Sequence, residues 1–448
     1  MQISAAYIIN KIEQAGVVGA GGAGFPSHAK LKQQVEVVIA NGAECEPLLY
    51  SDNILLERHA SQVIQGLLLI MTAASARQGI IAVKKKHNHL INHLQDQIKP
   101  FPQVSLFPLD DFYPAGDEHI LINEVTGKRI PPGQLPFSVG ILVNNVTTLY
   151  QAASAFAGEP VTSRYVTVTG EVRQPVVVDV PIGTPLSDLI SAAGGSRLTD
   201  FRVIIGGPMM GQSVTDYRQE YTTKITSGII VIPPDHFLIT RTQIQPWQQL
   251  KRVQAACDNC RMCTDLCPRY LLGHPLEPHS TVRVLSQQQI EAGQHITSAL
   301  LCCNCGICDT VACPCNLSPR ALYQALRKEL AQQKFPTPSF QSRPLPAERK
   351  QRRTPLSKLL QRLNMVKYAE NKPIYLSSPL LPAKVLIKLK QHVGISAVPV
   401  VKMGDKVSKG CLAGQVPSDK LGAKVHVSIN GTVSQVNVEF VEITSSIY

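Results

Sequence analysis

Cysteine is distributed very unevenly along this chain, which has 448 residues and twelve cysteines. Ten of the cysteines fall into two short segments, CDNCRMCTDLCP (residues 257–268) and CCNCGICDTVACPC (residues 302–315). In a cytoplasmic chain, clustered thiols indicate metal binding rather than disulfide bonds, because disulfides are rare in that compartment. A fold that brings these segments together is therefore expected to enclose metal centres.

The spacing within each segment is typical of iron–sulfur sites. Three cysteines are separated by two residues each, a fourth follows after three or four residues, and proline comes directly after the fourth. In such double runs the fourth cysteine serves the other cluster. We therefore expect two [4Fe–4S] clusters with crossed ligands. One set is Cys257, Cys260, Cys263 and Cys313, and the other is Cys267, Cys302, Cys305 and Cys308.

Some alternatives remain open within this pattern. The second run has an extra residue before Cys313, Cys303 could replace Cys302 as a ligand, and Cys315 is left over. Zinc is the other metal to consider, but structural zinc sites use paired C-x2-C arms with a long gap between them. A triple plus one, followed by proline, favours iron–sulfur clusters over zinc.

Composition excludes several other classes of protein. The hydrophobic fraction of 44% is typical of a globular chain. The longest apolar run, residues 66–76, is too short to span a bilayer, so no membrane span is predicted. The first residues lack a secretion signal, which predicts a cytoplasmic location. The formal net charge is +12, but the basic residues are dispersed except at 343–358, so no nucleic-acid binding is predicted.

The sequence pattern changes several times along the chain, which predicts a multidomain α/β protein. Residues 1–155 alternate helical and strand patterns, as in a parallel sheet with helices on both faces. Residues 160–245 indicate a hairpin, a short helix and a further strand. The cysteine segments occupy 246–332, and a basic, proline-containing linker is predicted at 333–371. Residues 372–448 have many short strands and glycine turns, which predicts an all-β domain.

A glycine-rich loop is the first candidate for ligand binding. The segment GVVGAGGAGFPSHAK (residues 16–30) has glycines at the G-x-G-x-x-G spacing, although it follows a helical pattern rather than a strand. Glycine has no side chain, so backbone N–H groups of such a loop can approach a phosphate closely. Lys30, at the end of the segment, could add a positive charge.

A second candidate motif is NGAECEP (residues 41–47), which follows a predicted strand. Ligands of α/β sheets bind at the carboxyl ends of the strands, so this position suits a binding site. Its two acids, Glu44 and Glu46, could bind ribose hydroxyls or the nicotinamide amide. The alternative is a surface turn with two solvated acids.

These motifs also carry a family resemblance. The glycine loop, NGAECEP, the segment YPAGDEHILINEVTGKRIPPGQLPFSVGILVNNVTTL (residues 113–149) and the double cysteine run, in that order, resemble the flavin subunit of respiratory complex I. They are more similar to the RnfC proteins of Rnf electron-transport complexes, and most similar to the cobalamin (corrinoid) reductases of propanediol-utilisation microcompartments. RnfC proteins have their barrel-sandwich domain before the flavin domain, whereas here the similar segment comes last, as in the reductases.

The resemblance covers nearly the whole chain and implies its fold. It implies a Rossmann-like domain of the complex I flavin-subunit type, followed by a soluble-ligand-binding β-grasp (SLBB) module. An α-helical, ferredoxin-like domain with two [4Fe–4S] clusters and a C-terminal barrel-sandwich hybrid domain would then follow. Barrel sandwiches that carry a prosthetic group present a lysine at a hairpin tip, and the comparable turn at 428–433 has none. We therefore expect no swinging arm.

The resemblance further implies roles for individual residues. FMN would be bound by the glycine loop, by NGAECEP and by a facing wall, and NADH would lie beside it. An aromatic side chain, Phe25, would stack on NADH, and two catalytic acids, Glu46 and Glu118, would lie near its nicotinamide end. The FMN-binding residues would be Gly19, Gly21, Gly22, Gly24, Lys30, Asn41, Glu44, Cys45, Tyr113, Gly116, Asn144 and Asn145.

The function implied by the resemblance is an NADH-dependent flavin and iron–sulfur oxidoreductase. It would reduce cobalamin towards cob(I)alamin, and so recycle coenzyme B12 during propanediol degradation. Its partners would be an adenosyltransferase and a shell protein, inside or at a bacterial microcompartment. The alternatives are an Rnf-type electron-transport subunit and an electron-transfer adaptor at the microcompartment shell.

Overall fold

The computed structural model describes residues 3–287 and 293–446. Within these ranges no helix combines the length and the apolar character that crossing a bilayer requires. The centre of the N-terminal domain is a parallel sheet with the strand order β3–β2–β1–β5. Its strands, together with the short strand β4, are β1 (Val37–Gly42), β2 (Gln78–Lys84), β3 (Val104–Leu109), β4 (Phe112–Tyr113) and β5 (Ile141–Asn145).

This strand order places a topological switch between β1 and β5. The chain passes from β1 to β2 and β3 on one side, and then returns to place β5 on the other side of β1. Sheets of this type bind ligands in the crevice outside the carboxyl ends of the strands at the switch. The predicted motifs at Asn41 and at Asn144–Asn145 end these two strands.

Helices cover both faces of the sheet, as the sequence pattern predicts. Four of them pack on one face with the larger apolar core, and α5 packs on the other. The two central helices, α3 and α6, approach closely at Gly66, where an added Cβ would lie 1.9 Å from the carbonyl oxygen of Leu149. The helices are α1 (Ala5–Gln14), α2 (Ser27–Lys30), α3 (Ser51–Ala73), α4 (Asn88–Ile98), α5 (Glu118–Thr126) and α6 (Val146–Phe156).

The second unit is a β-grasp module. One helix packs its apolar side chains against a mixed sheet rich in valine and isoleucine. The elements are β6 (Ser163–Gly170), β7 (Val176–Pro181), α7 (Leu186–Ala192), β8 (Arg202–Ile205), β9 (Gln212–Val214) and β10 (Gly228–Ile232). The loop between β8 and β9 leaves the module and reaches the N-terminal domain, where it contacts the site described below.

The cysteine segments lie among short helices. Proline occupies the first turn of several of them, where its missing N–H group has no helical partner in any case. The helices are α8 (Phe237–Thr240), α9 (Pro246–Ala256), α10 (Met262–Asp265), α11 (Pro268–Leu271), α12 (Pro278–Ser286), α13 (Gly293–Thr297) and α14 (Pro319–Gln332).

The stretch predicted as a linker contains regular structure and packs on the N-terminal domain. It includes β11 (Thr354–Pro355), which pairs with β4, and the helices α15 (Leu356–Arg362) and α16 (Val366–Glu370). Arg349 and Arg353 both form ion pairs with Glu124 of α5. Proline and basic residues therefore serve here as anchors on an acidic side chain.

The last unit is an all-β domain, as predicted. Its two sheets, β13–β19–β18–β15 and β14–β16–β17, enclose an apolar core. The first strand of this part of the chain, β12, instead pairs with β7 at the edge of the β-grasp sheet. The strands are β12 (Ile374–Leu376), β13 (Lys384–Lys388), β14 (Val398–Pro399), β15 (Lys406–Val407), β16 (Leu412–Gln415), β17 (Val425–His426), β18 (Gly431–Val436) and β19 (Phe440–Ser445).

Candidate functional site

Three asparagines lie at the carboxyl ends of β1 and β5, and two of them are engaged within the protein. Asn41 donates from Nδ2 to the carbonyl of Gly116 (2.9 Å) and accepts the N–H of Ala43 at Oδ1 (3.2 Å). Asn145 caps α6, because its Oδ1 accepts the N–H of Thr147 (2.9 Å). These bonds fix the shape of the crevice at the switch point.

The third asparagine, Asn144, is different. Its side chain is buried, and its Nδ2 has no hydrogen-bond partner in the structure. Leaving a buried donor unpaired costs about 1–3 kcal/mol, so such groups usually have a partner. An amide donor of this kind, at the end of β5, suits a ligand that presents carbonyl or hydroxyl oxygens. The site therefore fits a flavin nucleotide.

The glycine loop lies over the same crevice. Its base is closed by a hydrogen bond from the N–H of Gly19 to the carbonyl of Phe25 (2.8 Å). Its tip, residues 21–23, is exposed, and an added Cβ at Gly22 would meet no atom within 4 Å. At Gly21 an added Cβ would lie 3.1 Å from Cβ of Asn145. The loop thus presents small residues and open backbone above the end of β5, as a phosphate cradle requires.

Two residues that the resemblance assigns to different ligands contact each other. Lys30 Nζ donates to Oε1 of Glu118 (3.0 Å) and to the carbonyl of Val143 (3.3 Å). Both side chains are partly exposed, so this pair can open at low cost. Phe25 is partly buried beside the loop.

The facing wall contains Cys45, Tyr113 and Gly116. The N–H of Gly116 points to Sγ of Cys45 at 2.5 Å, and an added Cβ at Gly116 would lie 2.8 Å from that sulfur. No side chain can therefore occupy this position. Burial raises the pKa of Cys45 to about 11, which keeps it a neutral thiol near pH 7. Tyr113 is buried and donates its hydroxyl to the carbonyl of Cys305 (2.9 Å).

Glu44 lies at the amino end of α3. Its carboxylate accepts the N–H groups of Asp52 (2.9 Å) and Asn53 (3.1 Å), which are otherwise unpaired at a helix start. Burial, reinforced by the negative charge of Asp52, raises the pKa of Glu44 to about 8. Glu44 is thus a helix-capping acid whose oxygens are held by the protein, and the description as a solvated acid of a surface turn is wrong.

Glu46 is also held by the protein, but by a different module. Its Oε2 accepts the N–H of Met209 (2.9 Å) and its Oε1 accepts the N–H of Met210 (3.0 Å). Burial raises the pKa of Glu46 to about 7, although both N–H bonds favour the charged form. The sequence motif gives no sign of this contact, because residues 209–210 lie more than 160 positions further along the chain.

The structure brings one set of four cysteines together, which we call group A. Burial, with the nearby thiols of the other three, raises the pKa of Cys263 to about 12. Cys260 is exposed and the others are partly buried, so group A lies at the surface. Its members come from both cysteine segments: Cys257, Cys260, Cys263 and Cys313.

A second set, group B, lines a cavity of about 340 Å³. Its members are Cys267, Cys302, Cys305 and Cys308. Cys303 lines the same cavity, and its hydrogen bond with Cys305 and the nearby guanidinium of Arg269 lower its pKa to about 7. Cys303 and Cys302 therefore both remain possible ligands. The two groups match the crossed sets that the spacing predicts.

Two buried arginines beside group B were not singled out from the sequence. Arg269 pairs with Asp117 (2.9 Å), and Arg320 lies 3.3 Å from Asp309. Both arginines line the group B cavity. In the described ranges no three acidic, histidine or cysteine side chains converge as ligands of a single ion. A cubane cluster does not require such convergence, because each of its cysteines binds a separate iron atom.

Models of four protein families match the chain in sequence order. The matches confirm the predicted multidomain α/β fold. They are the Nuo51 FMN-binding domain (residues 12–154), the SLBB domain (165–213), the 4Fe-4S dicluster domain (256–318) and the RnfC barrel sandwich hybrid domain (362–447). An FMN-binding domain and an iron–sulfur domain are thus both present in this chain.

Curated relatives resemble the chain over its full length. The cobalamin reductase PduS of Salmonella typhimurium is 40% identical over 99% of this chain and 97% of its own length. Cobalamin reductase PduS of Citrobacter freundii is 39% identical over 97% of this chain and 96% of its own. An RnfC-type component of the Na(+)-translocating ferredoxin:NAD(+) oxidoreductase complex of Acetobacterium woodii is 36% identical over 57% of this chain and 56% of its own. The chain belongs to the PduS cobalamin reductase family.

Proposed function

We propose that this protein is an NADH-dependent reductase that transfers electrons through FMN and two [4Fe–4S] clusters to cobalamin, towards cob(I)alamin. One observation carries the proposal. The wall of the flavin crevice touches the second cysteine group directly, through the hydrogen bond from Tyr113 to the carbonyl of Cys305. A nucleotide crevice that adjoins a cysteine-lined cavity suits electron transfer from a flavin to iron–sulfur clusters.

FMN would be held by residues whose geometry suits its parts. The exposed backbone around Gly21 and Gly22 would bind the phosphate, with Lys30 as the nearby cation. The unpaired amide of Asn144 would donate to the flavin or its ribityl chain. When bound, a flavin accepts hydride from a nicotinamide and gives up electrons one at a time, which links NADH to one-electron carriers. Cys45 remains a neutral thiol there, so it adds no charge.

NADH as the donor is part of the proposal. Phe25, partly buried beside the glycine loop, is the residue proposed to stack on it. Glu118 would be released from its partly exposed pair with Lys30 when the nucleotides bind. Glu46 is proposed as the second acid of the site, but its contact with the β-grasp loop gives it the separate role argued in the next subsection.

The two cysteine groups would each hold one cluster. Group B has Arg269 and Arg320 in its lining, and both guanidinium groups are largely buried. Charged and hydrogen-bonding neighbours, burial and solvent exposure set the potential of an iron–sulfur cluster. Positive charges beside group B would favour electron acceptance there. Group A, with the exposed Cys260, would have a more solvated environment.

We also propose the setting in which the enzyme works. Cob(I)alamin is the nucleophile that an adenosyltransferase uses, so such an enzyme is the expected partner in coenzyme B12 recycling. A cytoplasmic location, inside or at the shell of a propanediol-degrading microcompartment, follows from the family to which the relatives belong. The Rnf-type role is less favoured, because the Acetobacterium woodii protein matches only 57% of the chain.

The test is an anaerobic purification followed by iron, sulfide and flavin analysis and two assays. Addition of NADH should bleach the flavin spectrum, and NADH should then support reduction of cob(III)alamin. Cys305→Ser should lose cobalamin reduction but keep flavin bleaching, because the Tyr113 contact uses the backbone of residue 305. Cys411→Ser, at an exposed cysteine of the β domain, is the matched control. Loss of flavin bleaching in folded Cys305→Ser protein would contradict the proposed order of transfer.

A further inference from the structure

The loop GGPMMG (residues 206–211) of the β-grasp module occupies an unusual position. It connects β8 to β9 and turns back on itself through a hydrogen bond from the N–H of Gly211 to the carbonyl of Gly207 (2.8 Å). At its tip, the N–H groups of Met209 and Met210 both point at the carboxylate of Glu46. We call this segment the junction loop.

The fit between the junction loop and Glu46 leaves no free space. An added Cβ at Gly207 would lie 2.2 Å from Oε2 of Glu46 and 2.3 Å from its Cβ. Contacts this short cannot be accommodated without movement, so glycine is required at this position. Both carboxylate oxygens are within hydrogen-bond distance of the loop, and bonds of this type to a charged acceptor are stronger than neutral ones.

The opposite side of the junction loop contacts the group B cysteines. The carbonyl of Met209 accepts a hydrogen bond from the guanidinium of Arg320, which lines the group B cavity. The Met209 side chain is 2% exposed and belongs to the same apolar cluster as Tyr113 and Cys305. The loop is therefore held between the NGAECEP motif and the second cysteine segment.

We infer that Glu46 is a positioning residue, which locks the junction loop between the flavin crevice and group B, and that it does not bind the nicotinamide nucleotide. The reason is stoichiometric: its two oxygens accept the N–H groups of Met209 and Met210, so neither is free for a ribose or an amide. The inference rests on the proposed function. It also gives the SLBB module a role, which is to fix the spacing between flavin and cluster.

Two variants test this inference from opposite sides of one contact. Glu46→Gln keeps the size of the side chain but turns one acceptor into a donor that faces an N–H group. Gly207→Ala leaves Glu46 intact and displaces the loop from it. Met210→Ala is the matched control, because the Met210 side chain is 56% exposed and the substitution keeps the backbone N–H.

Hydrogen exchange of the protein as purified gives the first readout. In both variants the peptide covering the junction loop should exchange roughly tenfold faster or more, as expected when a hydrogen bond to a charged group is lost. Rapid-freeze electron paramagnetic resonance after mixing with NADH gives the second readout, and the reduced-cluster signal should form at least about tenfold more slowly. Flavin bleaching and the KM for NADH should change by less than about twofold, and Met210→Ala should match the unaltered protein.

The inference is overturned if Glu46→Gln raises the KM for NADH about tenfold while Gly207→Ala does not, because Glu46 would then act on the nucleotide. It is also overturned if loop exchange is unchanged in Glu46→Gln. If one variant fails to fold, the other still decides, since each has its own expected exchange and KM. Failure of NADH to bleach the flavin of the unaltered protein would refute the proposed function instead, and the exchange comparison would still report on the contact.

Discussion

A buried lysine at the meeting point of three modules leads to a quantitative prediction. Lys224 of the β-grasp module is 1% exposed, and its Nζ donates to the carbonyls of Gly16 and Lys424 at 2.6 Å each. Gly16 leads into the glycine loop, and Lys424 belongs to the β domain. Within the described residues no carboxylate forms an ion pair with Lys224, and burial lowers its pKa from 10.5 to about 7.

The direction of the pH effect follows from this lowering. Between about pH 7 and about pH 10.5, Lys224 is neutral in the folded protein and protonated in the unfolded chain. The unfolded state then binds more protons, so stability rises with pH in this window. At about 1.4 kcal/mol per pKa unit, the contribution of Lys224 should grow by roughly 2 kcal/mol from about pH 7 to about pH 9. The neighbouring His392 and His426, with pKa values lowered by burial to about 4 and about 3, stay neutral throughout.

The variant Lys224→Met isolates this contribution. It removes the ammonium group and leaves the carbonyls of Gly16 and Lys424 without that donor, which costs about 1–3 kcal/mol each. This cost does not depend on pH, whereas the lysine contribution does. Anaerobic urea unfolding of both proteins at several pH values should therefore show a difference in free energy of unfolding that grows in favour of the unaltered protein. A difference that stays constant from neutral to alkaline pH would refute the reasoning.

Three further predictions concern the cysteine groups, the flavin crevice and the anchored segment. Cys313→Ser should lose about half of the iron, measured per protein, while Cys315→Ser should keep all of it; equal loss would contradict the crossed assignment. Asn144→Ala should weaken FMN binding about five- to tenfold, as expected for one lost hydrogen bond, measured by flavin fluorescence; unchanged affinity would exclude the amide as a donor. Glu124→Gln should leave two largely buried arginines poorly paired, destabilise the protein by about 3 kcal/mol and expose residues 343–353 to trypsin; unchanged cleavage would contradict the anchoring role.

The cysteine arrangement could be predicted from the sequence because its information is local. A two-residue gap determines which thiols can face one small object, and the crossing of Cys267 and Cys313 follows from how two such loops interlock. The parallel sheet was predictable for a similar reason. Buried strands such as Val37–Gly42 are short apolar runs between helical patterns, and both faces are covered.

The roles of the acids could not be predicted in this way. Glu44 and Glu46 are two positions apart at the end of one strand, yet one caps α3 and the other binds Met209 and Met210 of a different module. Local sequence places an acid at a strand end but cannot show which N–H groups arrive there from elsewhere in the chain. The segment 333–371 is a similar case, because its proline and arginine content is typical of a linker until Glu124 is known to lie opposite.

The glycine loop shows why modules without redox chemistry matter to the flavin site. Its small residues give it a high conformational entropy, and ordering a backbone costs about 1–2 kcal/mol per residue. In this structure the ordering is done by other modules: the carbonyl of Ala20 accepts from Arg164 of the β-grasp module (2.9 Å), and that of Gly24 accepts from the N–H of Val393 (3.1 Å). A loop fixed before the ligand arrives binds it with a smaller entropic loss. The affinity of the crevice for a flavin phosphate is therefore a property of the assembled chain, and the β-grasp and β domains contribute to it through two backbone carbonyls.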